Sequence, residues 1–178
     1  MLNFHKEPWP HYTGSLPDDF YNYVKENWNT NEEDKKWNKI KNRSNTFITD
    51  DKIITTLNEV ALDILHKSES VFKKYYPRLD ITKVKCSYSH TFSENPATDT
   101  GFPMRKLHID NGNKMVTGLW YFKNENEDED GGHLRLKNPI TREETQFFYR
   151  KNRIILFPNT PISWHYITER EPSKYSRR

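Results

Sequence analysis

The sequence predicts an α+β fold, mainly β, in which amino-terminal helices back a double-stranded β-helix, or jelly roll. Two observations support this prediction. Residues 51–75, within the predicted helical part at about 15–76, repeat apolar positions at three- and four-residue steps, which is the period of an amphipathic helix. Residues 79–178 instead contain short β-branched and aromatic runs separated by turn residues, a pattern typical of an antiparallel sandwich or barrel. A length of 178 residues fits one domain that contains both parts.

Three helices follow from the first half of the chain. One is predicted to begin after Ser15, because Pro17 suits a first helical turn and two aspartates follow it. A second is predicted over about residues 31–42. The longest covers residues 51–75, where the apolar residues form a single stripe, and Pro77 ends it. We expect this stripe to pack onto a sheet.

The second half predicts short strands, and residues 1–14 are predicted to be extended. The strands are expected at 84–88, 105–110, 114–123, 133–137, 146–149, 153–157 and 163–168. The acidic run 124–130 and the glycine pair after it predict a turn. Residues 91–103 predict a long loop that could close as a lid over a substrate.

Composition narrows the class of protein. The formal net charge of +3 does not by itself indicate nucleic-acid binding. The sequence shows neither a secretory signal pattern nor an apolar run long enough to span a bilayer. Its single cysteine, Cys86, excludes an internal disulfide and any multi-cysteine metal site within one chain. A reducing, cytoplasmic compartment is therefore the expected location.

Two histidines and one aspartate are the candidate metal ligands. His108 and Asp110 lie two residues apart on an extended segment, so their side chains point the same way, and His165 lies on a later strand. Two imidazoles and one carboxylate on one face of a metal leave positions open, as in mononuclear non-haem Fe(II) oxygenases. The alternatives are a surface histidine beside an Asx turn for His108 and a core histidine packed on aromatic rings for His165.

Five segments together resemble a known family. The second half of the chain is similar to the Fe(II)- and 2-oxoglutarate-dependent dioxygenases, and among them to the prolyl 4-hydroxylase branch. The resemblance extends over about residues 83–178, and the matching segments are 108–111, 116–122, 130–136, 152–157 and 163–165. It implies Fe(II), 2-oxoglutarate and O2 as cofactor and co-substrates, with ascorbate in support. It also implies hydroxylation of a small molecule or peptide, for example a peptidyl proline, with release of succinate and CO2.

The resemblance also implies roles for individual residues. His108, Asp110 and His165 match the iron ligands. Arg177, or else Arg178, matches the basic residue that pairs with the far carboxylate of 2-oxoglutarate. Tyr88 matches a position whose hydroxyl contacts the same molecule. Trp120, or Tyr121 if the register shifts by one, would line the pocket, although ordinary core packing explains either ring as well.

Other interpretations stay open at this stage. A non-catalytic, cupin-like jelly-roll module that binds a ligand needs no iron. A zinc hydrolase could use the same three ligands but gives no role to the final arginines. His90 and His133 are weaker candidate ligands. The family's last strand continues past the position of Arg178, so either the sequence is trimmed or the basic residue lies on a frayed end. The oligomeric state is left open.

Overall fold

The computed structural model confirms an α+β fold in which strands outnumber helices among the described residues. It describes residues 2–28, 36–38, 43–95, 97, 106–123, 131–172, 174 and 176. The helices are α1 (Asp18–Glu26), α2 (Asp51–Lys67) and α3 (Glu69–Tyr75). The strands are β1 (Leu2–His5), β2 (His11–Gly14), β3 (Lys36–Asn38), β4 (Arg43–Phe47), β5 (Thr91–Glu94), β6 (Val116–Trp120), β7 (Leu134–Lys137), β8 (Glu144–Phe147), β9 (Ile154–Pro158) and β10 (Trp164–Ile167).

Two antiparallel sheets form the predicted jelly roll. The major sheet has the strand order β1-β2-β9-β6, and the minor sheet has the order β10-β7-β8. A third sheet, β3-β4-β5, lies outside this pair. The central strand β9 is buried at all five positions because both of its faces are covered. This explains its uninterrupted apolar sequence.

Two hydrophobic cores lie on opposite faces of the major sheet. The helix-side core joins α1 and α2 to the sheet, and its buried members are Tyr12, Leu16, Phe20, Tyr21, Val24, Ile53, Ile64, Phe92, Phe122, Ile154 and Leu156. The inter-sheet core joins the two sheets, and its buried members are Trp9, Tyr121, Leu134, Leu136, Tyr149, Ile155 and Phe157. Successive β9 residues therefore alternate between the two cores, as the strand period requires.

The helix predictions are right at α1 and need correction elsewhere. Pro17 precedes α1, as predicted. The long helix is not continuous over 51–75, because Ser68 separates α2 from α3. The Ser68 side chain is fully buried and its hydroxyl lies 3.5 Å from the Tyr12 hydroxyl, so the polar group is accommodated where the helix is interrupted. The apolar stripe still packs on the sheet through Ile53 and Ile64.

The helix predicted at 31–42 is wrong where it can be compared. Residues 36–38 form β3, which pairs with β4, and the remaining positions lie outside the described residues. The partner strand supplies the backbone hydrogen bonds, so tertiary pairing overrides local helix propensity.

Several strand predictions also need correction. The strand predicted at 84–88 is absent: a 3-10 turn ends at Lys83, and Cys86 and Tyr88 are exposed and pair with no strand in the part of the chain that the structure describes. The first four residues of the loop predicted at 91–103 form β5, and most of the remainder lies outside the described residues. In the predicted strand 105–110, the described part contains only an isolated bridge between His108 and His165.

The other strand predictions differ from the structure at their ends. β6 is shorter than 114–123, and β8 begins two residues before the predicted 146–149. Strands β7, β9 and β10 agree to within one residue at each end. The acidic run 124–130 lies outside the described residues, and the two glycines after it both have positive φ, at 71° and 66°.

Candidate metal centre

A short antiparallel contact brings the two candidate histidines together. The His108 N–H donates to the His165 carbonyl at 3.0 Å, and the His165 N–H donates to the His108 carbonyl at 2.8 Å. The segment around His108 thereby extends the minor sheet beyond β10. The imidazole centroids of the two residues lie 4.3 Å apart.

Asp110 completes the group from the position two residues beyond His108. One carboxylate oxygen lies 3.9 Å from Nε2 of His108, and the other lies 3.9 Å from Nε2 of His165. The side chain of Asp110 is almost fully buried, and His165 is buried as well. One ligand atom from each of the three residues lies within 4.8 Å of the others. The structure therefore brings together the three residues that the sequence selected.

The backbone sets the tautomer of both imidazoles. Nδ1 of His108 donates to the Lys106 carbonyl at 2.6 Å, and Nδ1 of His165 donates to the Ser163 carbonyl at 3.0 Å. A carbonyl oxygen only accepts, so the proton of each neutral ring is on Nδ1 and the Nε2 lone pair faces Asp110. Two nitrogen lone pairs and a carboxylate that converge in this way suit a divalent cation.

Two side chains surround the carboxylate of Asp110. The Thr117 hydroxyl donates to Oδ2 at 2.7 Å. The ammonium group of Lys114, which is half exposed, lies 3.4 Å from Oδ1. The first contact is a short, charge-assisted hydrogen bond, whereas the second is a longer ion pair that water screens.

The aromatic candidates lie in different surroundings. The ring of Tyr88 stacks on His90 at a centroid distance of 6.3 Å, and Nε2 of His90 bonds to Asn58 of α2. This contact chain places Tyr88 beside α2. Partial burial lowers the pKa of the neighbouring His90. His133, the other weaker candidate ligand, accepts a hydrogen bond from the Tyr149 N–H.

Strand alternation separates Trp120 from Tyr121. Trp120 stacks on Phe20 of α1, with centroids 5.7 Å apart, and packs against the helix-side core. Tyr121 belongs to the inter-sheet core, on the same face of the strand as Thr117. Of these two candidates, Tyr121 shares the face that meets the triad. Arg177 and Arg178 lie outside the described residues.

Comparison with known proteins agrees with the motifs. Residues 98–178 match the family model of the 2OG-Fe(II) oxygenase superfamily. The resemblance that five sequence segments indicated is thus confirmed for this part of the chain. No curated protein matches the sequence significantly.

Among the described residues, no helix has both the length and the apolar character that a membrane span requires.

Solved structures share the fold. A prolyl-4-hydroxylase from Pseudomonas putida superposes with a TM-score of 0.63 at 14% identity, over 94% of this chain and 88% of that chain. A prolyl hydroxylase from Trichoplax adhaerens, solved with a peptide fragment of the hypoxia inducible factor oxygen degradation domain, gives 0.54 at 18% identity, over 89% and 71%. At these identities the likeness establishes a common fold.

Proposed function

We propose that this chain, which has a prolyl 4-hydroxylase-like fold and the 2OG-Fe(II) oxygenase pattern over residues 98–178, is an Fe(II)- and 2-oxoglutarate-dependent hydroxylase. The observation that supports this most directly is the triad of His108, Asp110 and His165, whose ligand atoms lie within 4.8 Å of one another. The reaction converts 2-oxoglutarate, O2 and a substrate C–H group into succinate, CO2 and a C–OH group.

The protein's own residues position the metal. Two Nε2 atoms and one carboxylate would hold Fe(II) on one face, and the remaining coordination positions would be open to co-substrate and O2. Bound Fe(II) would supply the activation of O2 that is coupled to decarboxylation of 2-oxoglutarate. The carbonyls of Lys106 and Ser163 keep both imidazoles in the metal-binding tautomer. The carboxylate of Asp110 favours hydroxylation, because halogenating relatives have a small residue there that leaves a site for chloride.

Co-substrate binding involves residues that the triad does not include. We assign the far carboxylate of 2-oxoglutarate to Arg177, with Arg178 as the alternative, because a guanidinium group pairs with a carboxylate in a bidentate manner. Tyr121 is the preferred aromatic neighbour, because it lies on the triad's face of its strand, whereas Trp120 packs toward α1. Tyr88 is a weaker candidate because its ring stacks on His90.

The substrate proposed is a peptide, with peptidyl proline as the first choice. The support is the fold shared with two prolyl hydroxylases, one of which was solved with a peptide. Fold likeness transfers cofactor chemistry more safely than substrate identity, so small molecules and nucleic acids belong in the same screen.

Succinate release tests the proposed function. Purified protein is incubated with Fe(II), 2-oxoglutarate, O2 and ascorbate, with and without a library of proline-containing peptides, amino acids and nucleic acids. We expect succinate release that a substrate stimulates, and none from Asp110→Ala. Asp63→Ala removes an exposed carboxylate on α2 and serves as the matched control, with activity equal to wild type.

Two results would contradict the proposal. The absence of succinate above background from the wild type with every compound would favour a cupin-like binding module. Stoichiometric zinc with hydrolase activity, and no use of 2-oxoglutarate, would favour the zinc enzyme that the same ligands permit.

A further inference from the structure

We infer that Thr117 is a positioning residue that fixes the Asp110 carboxylate for metal binding, and that Asn159 sets the direction of the Thr117 hydroxyl. This inference rests on the proposed metal site and adds two residues to it. Neither of them is a ligand, and neither was selected from the sequence.

The first step is the bond between Thr117 and Asp110. Thr117 lies in β6 opposite Phe157 of β9, so a paired strand holds its backbone. Its hydroxyl donates to Oδ2 of Asp110 at 2.7 Å. Asp110 lies outside the regular strands, in a segment that ends in a turn, so its own backbone constrains the side chain less than a strand would. The bond to a rigid strand compensates for this.

The second step is the direction of that bond. The side-chain amide of Asn159 donates from Nδ2 to Oγ1 of Thr117 at 2.9 Å. Because an amide N–H only donates, the hydroxyl must accept from Asn159, and its single proton is then directed to Asp110. A donor that also accepts is polarised, which strengthens the bond to the carboxylate.

The third step is that Asn159 is itself held in place. It is buried directly after β9, and its backbone N–H donates to the Met115 carbonyl at 2.8 Å. Its Oδ1 is buried without a hydrogen-bond partner in the part of the chain that the structure describes. The bond to Thr117 is therefore the specific contribution of this buried amide.

Together these contacts give all three ligands an outer partner. The two imidazoles bond to backbone carbonyls, which side-chain substitution does not remove. The carboxylate depends on side chains, so its outer partner can be deleted and metal affinity measured. Loss of such a partner typically weakens metal binding about 10–100-fold.

The test is a titration with Co(II), in which calorimetry measures the affinity and visible absorption reports the surroundings of the bound ion. Thr117→Val keeps the shape of the side chain but removes the hydroxyl, and we expect about 10–100-fold weaker binding and an altered spectrum. Thr117→Ser keeps the hydroxyl and should restore affinity and spectrum close to wild type. Asn159→Leu leaves the hydroxyl free to turn away, so a smaller loss is expected.

Thr13→Val is the matched control. Thr13 lies in the same sheet, and its hydroxyl likewise bonds to a side chain, in this case to Nε2 of His5 at 2.7 Å. This variant should bind Co(II) as the wild type does. If Thr13→Val and Thr117→Val weaken Co(II) binding equally, the cause is general destabilisation of the fold, and the inference is overturned.

The remaining outcomes separate the inference from the proposed function. The positioning role is overturned if Thr117→Val binds Co(II) as tightly as the wild type does. It is also overturned if Thr117→Ser loses as much Co(II) affinity as Thr117→Val. Either result leaves the metal site intact. A wild type that binds no Co(II) overturns the metal site itself, and the positioning role with it.

Discussion

Two pairs of histidines in this protein have similar geometry and different chemistry. His5 and His11 face each other across β1 and β2, with ring centroids 4.9 Å apart. His108 and His165 face each other across an isolated antiparallel bridge, with ring centroids 4.3 Å apart. In each pair a buried imidazole bonds through Nδ1 to the backbone carbonyl two residues earlier, since His11 contacts Trp9 as His165 contacts Ser163. The tautomer alone therefore does not make a metal site.

The difference is the third side chain. His11 lies against Trp9 and Phe147, and burial lowers its pKa to about 4, so the ring is neutral in an apolar environment. Asp110 instead places a buried carboxylate between the other two imidazoles. Within the described residues, His108, Asp110 and His165 are the one cluster of at least three potential metal ligands. This carboxylate is the feature that makes the second pair a candidate cation site.

The largest effect is expected from Asp110→Asn. This substitution keeps the size of the side chain but removes the charge, so the triad comes to resemble the His5–His11 pair. We expect no stoichiometric Fe(II) after anaerobic reconstitution, as measured by metal analysis. Iron content equal to wild type would mean that the metal ligands lie elsewhere.

The pH dependence of the free energy of unfolding should come in part from His11, in the His5–His11 pair. The pKa of His11 is about 4 in the fold and near 6.5 when unfolded, so between these values the unfolded chain binds the additional proton. Stability should therefore fall as pH decreases from 6.5 to 4, by up to about 3 kcal/mol for this group. Urea unfolding at several pH values measures the free energy.

His11→Gln sharpens this result. It should flatten the pH dependence while leaving Fe(II) binding unchanged, because His11 is not a ligand. His66→Gln, at an exposed position on α2, is the control and should keep the wild-type pH profile. If His11→Gln and the wild type lose the same free energy on acidification, this assignment is wrong.

The segment that follows β10, the strand that carries His165, should be sensitive to substitution of its partner glycine. Gly131 bridges to Arg170 with φ of +71°, and a Cβ there would lie 1.9 Å from the Glu169 carbonyl oxygen. Gly131→Ala should destabilise the fold by about 1–3 kcal/mol through this clash and the positive φ. Gly112→Ala, where nothing lies within 4 Å of the added Cβ, is the control for thermal unfolding. Equal melting temperatures would refute the close contact.

The smallest effect concerns Lys114. Its ammonium lies 3.4 Å from Asp110 and would repel a bound divalent cation, although its exposure weakens the effect. Lys114→Met should therefore strengthen Co(II) binding by about 0.2–1 kcal/mol. Calorimetric titration measures the change, and weaker binding would show that Lys114 instead supports the carboxylate.

The sequence predicts the triad because strand parity and strand order need only local patterns. His108 and Asp110 share a face by period alone, and the turn residues before His165 indicate the strand that carries it. Thr117 was inside a recognised segment, but its role depends on Asn159, which lies 42 residues away. Only the pairing of β6 with β9 brings these two residues together.

The wrong predictions of strands and helices have the same cause, which is that strand pairing joins residues distant in the sequence. Residues 84–88 alternate as a strand does, yet they pair with no strand among the described residues, whereas residues 36–38 pair with β4 despite a helix-like sequence. Trp120 and Tyr121 are both aromatic, and only the packed sheet shows that Tyr121, and not Trp120, lies in the inter-sheet core. Which strands pair, and which face of the sheet a side chain occupies, depend on the whole chain and cannot be read from a short stretch of sequence.

Anaerobic spectroscopy of Fe(II) with 2-oxoglutarate tests the central claim most directly. Chelation of iron by the keto acid produces a visible charge-transfer band only when both occupy one site. We predict this band in the wild type and in His11→Gln, and its loss in Asp110→Asn. A wild type without the band, or an Asp110→Asn protein that retains it, would contradict the account.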